Sequence, residues 1–131
     1  MADDDDAAEL AAWLGENGYT TATTAVDVGA PGNRVVRMQH GGCQVTITRD
    51  RGQWYVEAGP PDRDGFDMNL WESYLRLREP DMEAATFAED VRLLHNLLHE
   101  IESSLLLDAR AVEHLDDLQA WLLETRWSTP V

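Results

Sequence analysis

The chain has 131 residues, 25 acidic against 10 basic, a formal charge of −15, and every base is Arg with no Lys. Such a field repels nucleic acid and anionic membrane and attracts cationic proteins. The length suits a single domain over residues 1–131, with residues 1–4 expected as a disordered acidic terminus, and the lone Cys43 excludes an internal disulfide.

Asp3 to Asp6 carry negative charge where a helix N-terminus favours it, and Ala7, Leu10, Ala11, Trp13 and Leu14 follow at spacings of three and four. They predict a helix over about 5–16, ended by Gly15-Glu16-Asn17-Gly18. From Tyr19 the composition turns to Thr and Val, whose β-branched side chains suit a pleated surface, predicting a first strand over about 20–28. A turn over residues 29–33 follows it.

The second strand is Arg34 to His40, and Gly41-Gly42 supplies a two-residue hairpin. The third alternates, with Cys43, Val45 and Ile47 on one face and Gln44, Thr46 and Thr48 on the other. After Asp50-Arg51-Gly52, the fourth sets Trp54, Val56 and Ala58 against Tyr55 and Glu57. The expectation is a four-stranded antiparallel meander with one buried face. Cys43 reads as a small core residue, because no cationic neighbour in sequence lowers its pKa.

Residues 59–65, with two Gly and two Pro, read as a break that admits neither helix nor ladder. Asn69 and Glu72 resemble a capping box opening a helix over about 70–78, ended by Pro80. The strongest periodicity comes next. Thr86 and Glu89 form a second capping box, and Phe87, Val91, Leu94, Leu98, Ile101 and Leu105 make a buried stripe over about 86–106, with a start at Met82 behind Asp81 also open. A last helix follows Asp108, with Ala111, Leu115, Leu118 and Leu122 on one stripe and Trp121 beside it. The fold class is therefore α+β: an N-terminal helix, the meander, and three C-terminal helices packed on its Val45/Ile47/Trp54/Val56 face.

Charge is uneven along this plan. Residues 1–18 hold six acids and no base, and residues 61–107 hold eleven acids against four Arg, whereas the strand segment 19–60 is nearly neutral. The N-terminus is the reverse of a basic signal segment, and the longest aliphatic run is Leu105 to Leu107. No export signal or membrane span is expected, and the compartment read from this is a reducing cytoplasm. Arg without Lys fits a GC-rich bacterial genome.

Candidate chemistry is sparse. His95, His99 and Glu102 fall in one helical sector, but the zinc-protease helix needs Glu immediately after its first His, and Asn96 stands there. They read as helix-edge residues, with no metal or cofactor expected. Asp62, Asp64 and Asp67 resemble a calcium loop only faintly, since Arg63 intrudes and the twelfth position is Ser73. No catalytic residue is assigned. Of five Trp, Trp13 and Trp54 fit core faces, whereas Trp71 beside the acidic loop and Trp127 past the last stripe leave two fates open, burial or an aromatic anchor ringed by steering charges. The candidate partner-binding segment is Asp62, Asp64, Asp67, Trp71, Glu72 and Tyr74.

The order of these features resembles a known type. A helix ending Leu10-Ala-Ala-Trp13-Leu14-Gly-Glu-Asn-Gly18-Tyr19-Thr20, then Trp54-Tyr55-Val56 in a meander, then Gly65-Phe66 before Leu70-Trp71-Glu72-Ser73-Tyr74-Leu75, is similar to small immunity proteins of actinobacterial polymorphic-toxin systems. The resemblance spans roughly residues 8–78, rests on element order and aromatic placement, and does not extend to the long C-terminal helical pair. It implies a non-enzymatic inhibitor that binds a cognate toxin and blocks its active site, the acidity suiting basic nucleases. The alternative is a secretion or export chaperone, with a metal-dependent enzyme third. The partner expected is a basic protein, a toxin domain or secreted substrate, bound by a monomer or homodimer, with no nucleic acid and no membrane.

Overall fold

The computed structural model describes residues 4–26, 33–77 and 86–127. Its first helix, α1 (Asp4–Glu16), begins in the Asp run and buries Ala7, Leu10 and Leu14. Residues 1–3 of the acidic terminus lie outside the described part. Four strands then run as an antiparallel meander: β1 (Thr20–Val26), β2 (Arg34–His40), β3 (Cys43–Asp50) and β4 (Gln53–Gly59). Residues 27–32, where the first strand was to end and turn, are likewise outside it.

The sheet has five strands, not four. Phe66–Asp67 forms β5, which pairs antiparallel with β4 through Ala58↔Phe66 and Glu57↔Asp67. The glycines read as breaking any ladder are what allow this one. A Cβ on Gly65 would meet the Ala58 backbone at 3.0 Å, and one on Gly59 would meet the Gly65 Cα at 3.0 Å, so only glycine lets the chain double back so closely.

Helix α2 (Met68–Arg76) follows at once, capped by Asp67 without a side-chain hydrogen bond, so Asn69 falls inside the helix and the expected capping box at Asn69 does not form its start. Leu77, in left-handed conformation with φ 55°, ends it. Pro80 lies outside the described residues, as does the alternative start of the next helix at Met82.

Helix α3 (Phe87–Leu107) realises the second capping box: the Glu89 amide donates to Thr86 Oγ1 at 3.2 Å, and that hydroxyl donates to Glu89 Oε1 at 3.2 Å. Its stripe of Phe87, Leu94, Leu98 and Ile101, widened by Leu97, is buried against β3 and β4. Helix α4 (Ala111–Trp127) packs chiefly on α2 and then α3, rather than on the Val45/Ile47/Trp54/Val56 face. Only Ala111 and Leu115 of its stripe are fully buried; Leu118 and Leu122 are partly so, and Trp121 and Leu123 are exposed.

One core therefore lies between the sheet's inner face and α1, α2 and α3. The outer face is not open along its whole length. On β3, Gln44 and Thr46 point away from that core yet are buried like the inward residues Cys43 and Val45, though less completely, which corrects the expectation of a single covered face.

Candidate functional site

The acidic segment after β4 is built on the β4–β5 turn and on β5, with Asp62 and Asp64 exposed on the turn and Asp67 exposed on the strand. Arg63 is held between them and α4. Its guanidinium donates to Asp116 Oδ2 at 2.8 Å and Oδ1 at 2.7 Å and lies over the Phe66 ring at 4.8 Å. This bidentate pairing raises the Arg63 pKa and lowers that of Asp116. The expected binding edge is thus fastened to the C-terminal helix.

Trp71 takes the first of its two fates. Its ring is 0% exposed, packs edge-on to Phe66 and Tyr74, and donates its indole N–H to the Ala58 carbonyl at 2.7 Å. The partner-binding role expected of Trp71 is corrected: with no exposed surface, it offers a partner no contact, because the short β5 brings α2 down onto β4 and turns this residue inward. Glu72 is half-buried. The Tyr74 hydroxyl donates to Asp108, a bond that pushes the phenol up to about 12 and Asp108 below the usual carboxylate range. Tyr74 thereby ties α2 to the α3–α4 junction.

Three outward residues not singled out as a site by the sequence stand beside this edge, in line with Asp67. The register aligns Arg37 of β2, Thr46 of β3, Glu57 of β4 and Asp67 of β5 in one row across the sheet. Over that row lies a polar pocket of about 400 Å³, lined by Arg37, Gln44, Thr46, Glu57, Asp64 and Gln119, among others. Gln44 and Thr46 are each 8% exposed, and among the described residues neither side chain has a hydrogen-bond partner. Burial, then repulsion from Asp67 and Asp64, pushes the Glu57 carboxyl up to about 7 against the pull of Arg37. The signal in the sequence was faint: an Arg–Thr–Glu set at outward positions reads as an ordinary solvated face until the register joins it.

Asp90 on α3 is buried and also pushed up to about 7, by burial first and then by Asp67 and Glu89, while the Val56 backbone opposes the shift. Asp67 therefore loads two carboxyls, one on each side of the sheet edge.

The His95, His99 and Glu102 set divides. His95 stacks on Trp13 with ring centroids 3.9 Å apart and planes at 15°, while His99 Nδ1 lies 3.3 Å from Glu102 Oε1. The other Glu102 oxygen accepts from the Tyr19 hydroxyl at 2.9 Å. Among the described residues no three His, Cys, Asp or Glu side chains gather as a metal would need. Cys43 is buried and its thiol is pushed up to about 11, by burial and the Glu102 charge, with the Tyr19 hydroxyl opposing. That chemistry suits a core residue. Trp13, half-buried, faces a cleft of about 710 Å³ between α1 and α3 that Phe87 and Val91 also line. Trp54 is buried, as its strand face predicts. The Trp127 side chain lies outside the described residues.

No protein-family model matches the chain, and neither does any curated protein or solved structure. No described helix is long and apolar enough to cross a membrane.

Proposed function

We propose that this chain is an acidic cytoplasmic binding protein that neutralises a basic toxin domain by direct contact, as the resemblance to small immunity proteins implies. The observation that supports it is the like-charged pair Glu57 and Asp67, set opposite each other across β4 and β5 with Asp64 adding to their field. Like charges placed so weaken a sheet. A cationic partner relieves that repulsion, so the arrangement is worse for the free protein than for a complex. Asp62, Asp64, Asp67, Glu72 and Tyr74 form the contact edge in this reading, and Trp71 supports it from behind.

The test is inhibition. A toxin domain encoded beside this gene should lose its activity on titration with the purified protein, with an endpoint at one equivalent. Full toxin activity at a large excess of a folded protein would overturn the reading. A homodimer that holds an extended segment of that partner and leaves its activity intact would favour the export chaperone.

A further inference from the structure

We propose that the pocket over the outer face of the sheet receives the guanidinium group of an arginine side chain presented by a basic protein partner. The proposal deepens the binding reading above and rests on it for the source of the arginine. Its ground is the pocket's own chemistry.

The pocket is built, and the side-chain polar groups of its β3 wall have no protein partner among the described residues. Gln44 and Thr46 are more than nine-tenths buried, line the cavity, and among the described residues have no hydrogen-bond partner. Their polar atoms reach only the water of the pocket, which a ligand can displace where it reproduces those hydrogen bonds. A ligand with several donors would satisfy these two together with Glu57, Asp64 and Gln119, which reach the cavity from β4, the acidic loop and α4.

The arrangement of charge gives a cation one favourable end of the pocket. Of the two guanidinium groups lining the pocket, Arg63 is engaged by both oxygens of Asp116. Arg37 stands two strands from Glu57 and attracts it. Glu57 and Asp64 line the cavity, and Asp67 faces Glu57 across the strand pair. An incoming cation is therefore drawn to the Glu57 and Asp64 end and repelled from the Arg37 end, which orients it. The number of acceptors selects the kind of cation. Carboxylates on two elements, two amide carbonyls and the Thr46 hydroxyl surround the space, and a planar fork with five donors uses more of them than an ammonium with three.

The titrating group adds a signature. Glu57, held near 7 by burial and by Asp67 and Asp64, is partly protonated at neutral pH and must ionise to accept the fork. The other charged groups around it are Arg37 on β2, Arg63 and Asp64 on the loop and Asp67 on β5. Binding should tighten as pH rises through about 7 and release a proton.

The test uses the isotope-labelled protein alone, titrated with N-acetyl-arginine N-methylamide and with its lysine and glutamate counterparts. The arginine probe should give saturable shifts at the Gln44 and Gln119 side-chain amides and the Thr46 backbone amide. Binding should weaken at least about fivefold in Glu57→Gln, which keeps the shape and removes the charge-assisted bond, and should lose its pH dependence there. Thr46→Val, which changes a pocket wall only, should also weaken it. The proposal fails if the arginine probe shows no saturation, if Glu57→Gln binds it unchanged, or if the lysine or glutamate probe binds as tightly. Because the probe is a free amino-acid derivative, failure here removes the arginine pocket, whereas failure of toxin inhibition removes the functional reading.

Discussion

Arg63 holds both carboxylate oxygens of Asp116, 53 residues away, and so fixes the acidic loop to α4 at the mouth of the polar pocket. Both side chains remain partly exposed, at 38% and 44%, so water screens the pair. Arg63→Ala should therefore change global stability by less than about 1 kcal/mol. Its local effect should be larger: hydrogen exchange at the Asp64 and Gly65 amides should accelerate while that of α3 stays unchanged. A large loss of global stability in denaturant unfolding would show that the loop belongs to the core.

Stability should fall as pH rises from about 5 to about 8. Glu57 and Asp90 each have folded pKa values raised to about 7. A raised pKa means the folded state holds the proton more tightly, so the contribution is complete below the ordinary carboxyl value and is lost as pH passes the raised one. Asp108, Asp116 and Glu100 are shifted the other way by Tyr74, Arg63 and Arg76, and their contribution is lost only in acid, below the ordinary carboxylate range. The melting temperature should pass through a maximum near pH 5 and decline by several degrees toward pH 8. In the double variant Glu57→Gln and Asp90→Asn that decline should flatten. A decline of undiminished size there would place its cause elsewhere.

Trp71 and Leu98 are fully enclosed, and truncation of either should act on stability. Leu98→Ala should cost about 2–5 kcal/mol through lost burial and the cavity left behind. Trp71→Phe keeps an aromatic ring but orphans the Ala58 carbonyl, which should cost about 1–3 kcal/mol. Chemical denaturation measures both. A change below about 1 kcal/mol for Leu98→Ala would mean that the α3 stripe faces solvent.

The parts of the fold legible in the sequence are those decided within a few residues. Thr86 and Glu89 announce their own cap, the 34–40 strand and its Gly41-Gly42 hairpin are marked by alternation and turn chemistry, and the α3 stripe repeats over six apolar positions. The β5 strand was not legible. It is two residues long, and its pairing depends on Gly59 and Gly65 touching across a turn that composition reads as a break. The inward turn of Trp71 depends on that same strand, so the two misreadings have one cause. The acidic loop of the candidate site was visible as a charge run, whereas the pocket beside it was not. Arg37, Thr46 and Glu57 lie in three strands and Gln119 in a helix, and only register and packing bring them together.

The histidines of α3 should act as helix-edge residues. The purified protein should carry no stoichiometric zinc, and the double variant His95→Ala, His99→Ala should melt within a few degrees of the parent. His95→Ala should also change the tryptophan fluorescence, because the imidazole stacks on Trp13 at 3.9 Å. Stoichiometric zinc that disappears in the double variant would revive an enzymatic reading.

The contact edge makes the sharpest functional prediction. If exposed Asp62, Asp64 and Asp67 steer a cationic partner, replacing all three with Asn should lower the association rate and leave the dissociation rate nearly unchanged, since steering acts before contact. Association of the parent should slow as salt passes about 0.15 M, where charges are screened beyond about 8 Å, and the variant should respond less. Both rate constants are read by surface-immobilised kinetics against the toxin domain, with circular dichroism to establish that the fold is kept. Unchanged association in a folded triple variant would move the binding face off this edge. The carboxylates of α4 would then be the next to replace, beginning with Asp117, which is exposed on that helix.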